Sequence, residues 1–92
     1  MTIQYTNKYV SEIAFGVDVD AAQAEISFAD KNGGGQVVVL MSKDEYATPV
    51  LAITTAAMVA SASLTIWVTE QKDSEGRHWL TSIRLDNSGL PN

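Results

Sequence analysis

From Tyr9 onward the chain alternates between apolar and polar positions. Tyr9, Ile13, Phe15 and Val17 share one parity, while Glu12 and Gly16 fall on the other. A period of two is that of a half-buried strand, here spanning residues 9–17. "DVDAAQ" reads as a turn. Ala24, Ile26 and Phe28 then alternate with Glu25 and Ser27, which predicts a second strand. "DKNGGGQ" follows, with Asn-Gly at its centre, a hairpin signal. "QVVVLMS" is a third strand, apolar on both parities and therefore expected to be central or covered on both faces.

The period changes after residue 42. Ser42 and Glu45 have the spacing of a capping box, and Thr48 before Pro49 offers a second helix start. The second start is favoured, because Pro49 would obstruct a helix begun several residues earlier. From Val50 to about Ala60 only Thr54 and Thr55 interrupt apolar sequence, which predicts a helix of about three turns. "SASLTIWVTEQ" returns to alternation, with Leu64, Ile66 and Val68 on one side and Thr65, Trp67 and Thr69 on the other. After the polar turn "KDSEGR", "HWLTSIRL" is the last strand, with Trp79, Thr81, Ile83 and Leu85 on one parity. The expected fold is mainly β, in the order β-β-β-α-β-β. This is the arrangement of an OB-fold, a five-stranded Greek-key barrel with one helix between strands three and four. The 92 residues form one domain, with its core in residues 5–86 and a loose tail at 87–92.

Tyr46–Thr69 holds no charged residue and no histidine, which raises the question of a membrane span. A spanning helix needs about 20 predominantly apolar residues. This window splits into a helical and an alternating half and carries Thr48, Thr54, Thr55, Ser61, Ser63 and Thr65, so membrane insertion is not expected. The helix itself is apolar nearly all round. Val50, Ile53, Ala57 and Ala60 lie along one side, and Leu51, Thr55, Met58 and Ala62 along another. A lone five-stranded barrel cannot cover all of that surface. Uncovered apolar surface of this kind marks an interface, and Val50, Ile53, Thr54, Ala57 and Met58 are the candidate oligomer contacts.

Charge narrows the partners. Lys and Arg number 6 against 11 Asp and Glu, a net charge of -5. Trp67 and Trp79 could stack on bases, but the basic residues are dispersed and form no groove, so nucleic acid is not an expected partner. There is no cysteine, and His78 is the one histidine, so no metal or other cofactor is implied. "NGGGQ" lacks phosphate-loop spacing and precedes a strand rather than a helix. Asp18, Asp20, Asp30, Asp44 and Glu45 read as solvated turn charges, and His78 as a surface or rim residue. No serine stands in a nucleophile-elbow motif, so no catalytic residues are assigned and the chain is not read as an enzyme. "MTIQYTNKYVSE" lacks the basic start and apolar run of a signal peptide.

The stretches "VSEIAFG" (10–16), "KNGGGQVVV" (31–39), "MSKDEYATP" (41–49) and the helix followed by "SLTIWV" resemble, in order and spacing, the B subunits of AB5 toxins. The likeness is to the subtilase-cytotoxin and pertussis-like branch and covers residues 5–86. It implies an OB-fold subunit assembled into a ring of five, with the helix lining the ring's centre. It also implies an outer face that binds sialylated host glycans, and an A subunit seated on the ring. In the subtilase relative a tyrosine–serine–aspartate run just before the first strand contacts sialic acid; the matching positions here are Tyr5, Thr6 and Asn7. A hydroxyl, an amide and a ring suit a sugar. The family's disulfide is absent, and Glu25 and Leu40 or Met41 stand near its positions. The resemblance implies a secreted, non-enzymatic, lectin-like homopentamer. The alternative, for a gene without a leader, is a cytoplasmic acidic interaction or inhibitor module on the same fold.

Overall fold

The computed structural model describes residues 1–43 and 47–86. Asp44 and Glu45, with the proposed capping box, lie outside the described residues, as does the tail 87–92. The elements are β1 (Thr2–Phe15), β2 (Ala22–Ala29), β3 (Val37–Ser42), α1 (Ala47–Ala60), β4 (Leu64–Thr69) and β5 (His78–Leu85). The strands close into a barrel in the order β1-β2-β3-β5-β4, with the helix between β3 and β4, an OB-fold-like arrangement. Every neighbouring pair is antiparallel except β3 and β5, which run parallel and meet only at Val39–His78 and Leu40–Trp79.

Closure explains the alternation. Ala24, Ile26 and Phe28 of β2 and Leu64, Ile66 and Val68 of β4 are fully buried, as their parity predicts. Val37, Val39 and Met41 of β3 join them in the core, while Leu40, on the other face, is also covered. Each such aliphatic or aromatic side chain contributes about 1.5–3 kcal/mol when buried.

Three bulges shift the parity where the sequence pattern fails. β1 begins at Thr2 rather than Tyr9, because Thr2–Tyr5 pair with β4. One extra residue between Tyr5 and Lys8 breaks the period there, and Asn7 takes a left-handed φ of 54°. A second bulge between Val10 and Glu12 lets Val10 and Ile13, of opposite parity, both pack on the core. Phe15, on the parity of Ile13, ends the strand and is 61% exposed. A third, between Trp67 and Val68 on the β4–β5 ladder, lets Leu80 and Ile83, of opposite parity, both pack on the core. Leu85, on the parity of Ile83, ends the strand and is 48% exposed.

The predicted hairpin forms. Gly33 N–H donates to the Asp30 carbonyl at 2.8 Å, and Gly34 N–H to Asn32 Oδ1 at 3.0 Å. α1 starts at Ala47, one residue before the expected cap, with Pro49 in the first turn, where its missing N–H costs nothing. It ends in a left-handed Ser61 (φ 51°), and Ala62 N–H closes back to the Ala57 carbonyl at 3.0 Å. That stop redirects the chain into β4 and divides the uncharged stretch in two. Among the described residues no helix is long and apolar enough to cross a membrane.

Candidate functional site

Tyr5, Thr6 and Asn7 lie inside β1, at its bulge, rather than ahead of the first strand. The bulge separates them. Tyr5 pairs with Ile66 and packs against the core, half-buried, while Thr6 and Asn7 are exposed. Beside them Lys8 turns inward. Its ammonium is 2.8 Å from Asp30 Oδ1, donates to the Gly35 carbonyl at 2.7 Å, and sits 5.6 Å from the Tyr5 ring centre. Asp30 is thus a structural partner as well as a turn charge. Gly35 is required at this point. Its φ is +60°, and a Cβ there would collide with the Asp30 carboxylate and crowd the lysine. The loop 30–35 therefore pins the N-terminal bulge, a tie that no local sequence signal announces.

On the outer face of β1, β4 and β5, Gln4 lies opposite Trp67, and Trp67 opposite Ser82. The next cross-strand pair is Thr65–Arg84, and the Arg84 guanidinium carbon stands 5.8 Å from the Trp67 ring centre. Thr6 follows Tyr5 along the same edge of β1. This surface thus combines an indole face, an amide, hydroxyls and an exposed cation. Sequence parity placed Trp67 on the outside, but its pairing with Arg84 is a product of the β4–β5 register.

A second polar cluster closes the opposite loops. Arg77 pairs with Glu25 at 2.9 Å, Asp73 at 2.8 Å and Glu75 at 3.0 Å. Glu25 lies directly opposite Leu40, one of the two β3 positions that stand near the family's disulfide, with the Arg77–Glu25 ion pair beside them; Met41, the other, lies opposite Ala24. Arg77, Asp73, Glu75 and Leu40, with Asp18, Val19 and Trp79, line a cleft of about 440 Å³. His78 is buried rather than at the rim, with Nδ1 2.6 Å from the Thr69 carbonyl. Because a carbonyl only accepts, Nδ1–H is the donor in this bond.

Hydrogen bonds from the Arg77 backbone N–H, then from Glu75 N–H and the guanidinium, hold the Asp73 carboxyl below its ordinary 3.8. Arg77 in turn is held above its ordinary value, chiefly by Glu25. A carboxyl depressed in the folded state stabilises fully once its unfolded counterpart is ionised, and loses that contribution as pH falls through the folded value. Asp73→Asn should therefore lower the urea midpoint near pH 6 by more than near about pH 3, where the difference narrows. Equal losses at both pH values would contradict the assignment.

The helix corrects two of the candidate interface residues. Thr54 and Ala57 are 0% and 1% exposed within a single chain, because that side of α1 caps the barrel. Thr54 Oγ1 satisfies itself on the Val50 and Leu51 carbonyls at 3.1 and 3.0 Å. Val50 and Ile53 are half-buried and line a cleft of about 360 Å³ beside β5, and Met58 is 40% exposed. The outward stripe is instead Thr48, Ala52, Thr55, Ala56 and Val59, with Val59 84% exposed. Those positions fall at i, i+4, i+7, i+8 and i+11, one side of a helix. With Leu51 they form one shallow apolar surface.

Among solved structures the fold is similar to two Salmonella typhi PltB homopentamers, both point mutants, each 17% identical in sequence, with a TM-score of 0.70. In each case the match covers 96% of this chain and 88% of the other. One of them was determined with Neu5Ac-alpha-2-3-Gal-beta-1-4-GlcNAc glycans. At this identity the likeness is one of fold. No family model and no curated protein matches the sequence.

Proposed function

We propose that this chain is a non-enzymatic, glycan-binding subunit of the AB5-toxin B type, secreted, working as a homopentameric ring on which a toxin A subunit docks. The observation that carries the reading is the end-to-end fold likeness to a homopentamer determined with a sialylated glycan. The sequence resemblance points the same way independently. The outward stripe of α1 supplies apolar surface for the ring, and the exposed Thr6 and Asn7 at the β1 bulge supply directional hydrogen-bonding groups for a sugar. A shallow site binds weakly alone, and several copies on one rigid ring raise avidity by about 10²–10⁴.

The test is a sialoglycan array probed with the assembled protein and with Thr6→Ala. Sialosides should be retained by the wild type, and Thr6→Ala should weaken retention at least about ten-fold, since each lost site acts on the avidity of the whole ring. No retention by the assembled wild type would remove the glycan role. Retention unchanged in Thr6→Ala would remove the site.

One observation favours a second reading, an acidic interaction module. The Trp79 cleft gathers Asp18, Asp73 and Glu75 around a single arginine. A basic protein partner would then bind with strong salt dependence, and no sialoside would be needed.

A further inference from the structure

The Trp67–Arg84 pair is built in a way that ordinary surface pairs are not. Arg84 Nε donates to Asp86 Oδ1 at 2.9 Å, and Nη2 donates to Thr65 Oγ1 at 3.3 Å. Thr65, only 1% exposed, donates in turn to Asp86 Oδ2 at 2.8 Å. These bonds form a closed triangle that fixes one edge of the guanidinium plane. The indole of Trp67 backs that plane at 5.8 Å. The other edge, made by Nη1 and the remaining Nη2 proton, meets no acceptor among the described residues, although the side chain is 62% exposed. A guanidinium held on one edge and open on the other presents two parallel N–H groups, the geometry that takes a carboxylate bidentately.

Among the described residues no other guanidinium has an open edge, and the one buried lysine is already engaged. Lys8 is buried against Asp30 and Gly35, and Arg77 is enclosed by three carboxylates. Arg84 also has sugar-compatible neighbours. Gln4 and Ser82 flank Trp67 across the ladders, and Thr6 continues the same edge of β1. The indole offers an apolar face to a sugar ring, and the amide and hydroxyls offer directional bonds.

We infer that Arg84, oriented by Thr65 and Asp86 and backed by Trp67, anchors the carboxylate of an acidic saccharide and sets the preference for acidic over neutral glycans. This deepens the glycan-binding reading and rests on it. Trp67 is the platform for the sugar ring, and Thr6 completes the site from β1. Lysine in place of Arg84 keeps the charge but loses the paired N–H edge, so charge alone does not reproduce the anchor.

The experiment uses the assembled protein carrying Trp79→Phe, so that Trp67 is the one indole reporting. Its fluorescence is titrated with alpha-2-3-sialyl-N-acetyllactosamine and with the same glycan lacking sialic acid. The sialoside should shift the emission, and the neutral glycan should bind at least about ten-fold more weakly, as loss of a charge-assisted bidentate bond implies. Arg84→Ala and Arg84→Lys should both abolish that discrimination while melting close to the parent. Sialoside binding that Arg84→Ala leaves within two-fold, while Thr6→Ala removes it, overturns the anchor and leaves the glycan reading standing. A loss in Arg84→Ala that is equal for the acidic and neutral glycans assigns the residue to packing and also overturns it. No sialoside binding by the parent protein, by fluorescence or on the array, overturns the anchor and the glycan reading together.

Discussion

Glutamates at Ala56 and Val59 together should turn the assembled protein into a folded monomer. Val59 is 84% exposed and Ala56 is also on the outside, so neither side chain supports its own barrel. The side of α1 that does so carries Ala47, Thr54 and Ala57 and is untouched by the change. Glutamate is a good helix former, so the element survives. In a ring, however, the outward stripes of neighbouring helices face one another. Each copy would then bury two unpaired carboxylates beside like charges, at a cost of several kcal/mol per ion. Light scattering would read the mass, and circular dichroism with a thermal melt would read the fold. The expected pair of results is a large fall in mass and an intact spectrum. A wild type that is already monomeric at micromolar concentration, or a double variant that assembles as well as the parent, would sink the ring.

Truncating Phe28 should cost about 3–5 kcal/mol. Phe28 is fully buried and sits between Val10 on β1 and Val37 on β3, so one ring fills the interior across two ladders. Both partners are themselves strand residues pinned by backbone pairing, which limits how far the walls can collapse into the cavity. A domain of this size has a total stability of about 5–15 kcal/mol, so Phe28→Ala removes a large share of it. The urea midpoint measures the loss. Phe15→Ala is the internal comparison. Phe15 is 61% exposed, and its truncation should change stability by about 0.5 kcal/mol or less. Similar losses for the two phenylalanines would mean that Phe15 is buried in the folded protein.

These phenylalanines show where sequence pattern informs and where it stops. Phe28 lies on β2, where alternation runs unbroken from Ala24, and parity alone assigned it to the core. Phe15 shares the parity of core-packed Ile13 and pairs with buried Ala24, yet as the last residue of β1 it is 61% exposed, which parity does not foresee. Parity also missed the bulge before it, which lets Val10 and Ile13, of opposite parity, both pack on the core. A bulge leaves no composition signature in a single sequence; it is decided by which register satisfies both neighbouring strands at once. The same limit hid Thr2–Lys8, whose two apolar positions, Ile3 and Tyr5, are interrupted at the bulge before the alternation can be recognised.

The candidate site divides in the same way. The family resemblance pointed to Tyr5, Thr6 and Asn7 as sugar contacts, and strand parity set Trp67 opposite the core-facing Leu64, Ile66 and Val68. The structure then turns Tyr5 toward the core, leaves Thr6 and Asn7 in solvent, and brings Arg84 from β5 onto Trp67. It also shows which part of an all-apolar helix is already in use. By itself the sequence determined the five strands, the one helix and their order, because period, turn chemistry and the Ser61 break are local properties of the chain. Only the tertiary structure decided which side of α1 is spent on the barrel and which is left exposed, and which polar residues meet. Those choices depend on barrel closure and strand register, which join residues far apart in the chain.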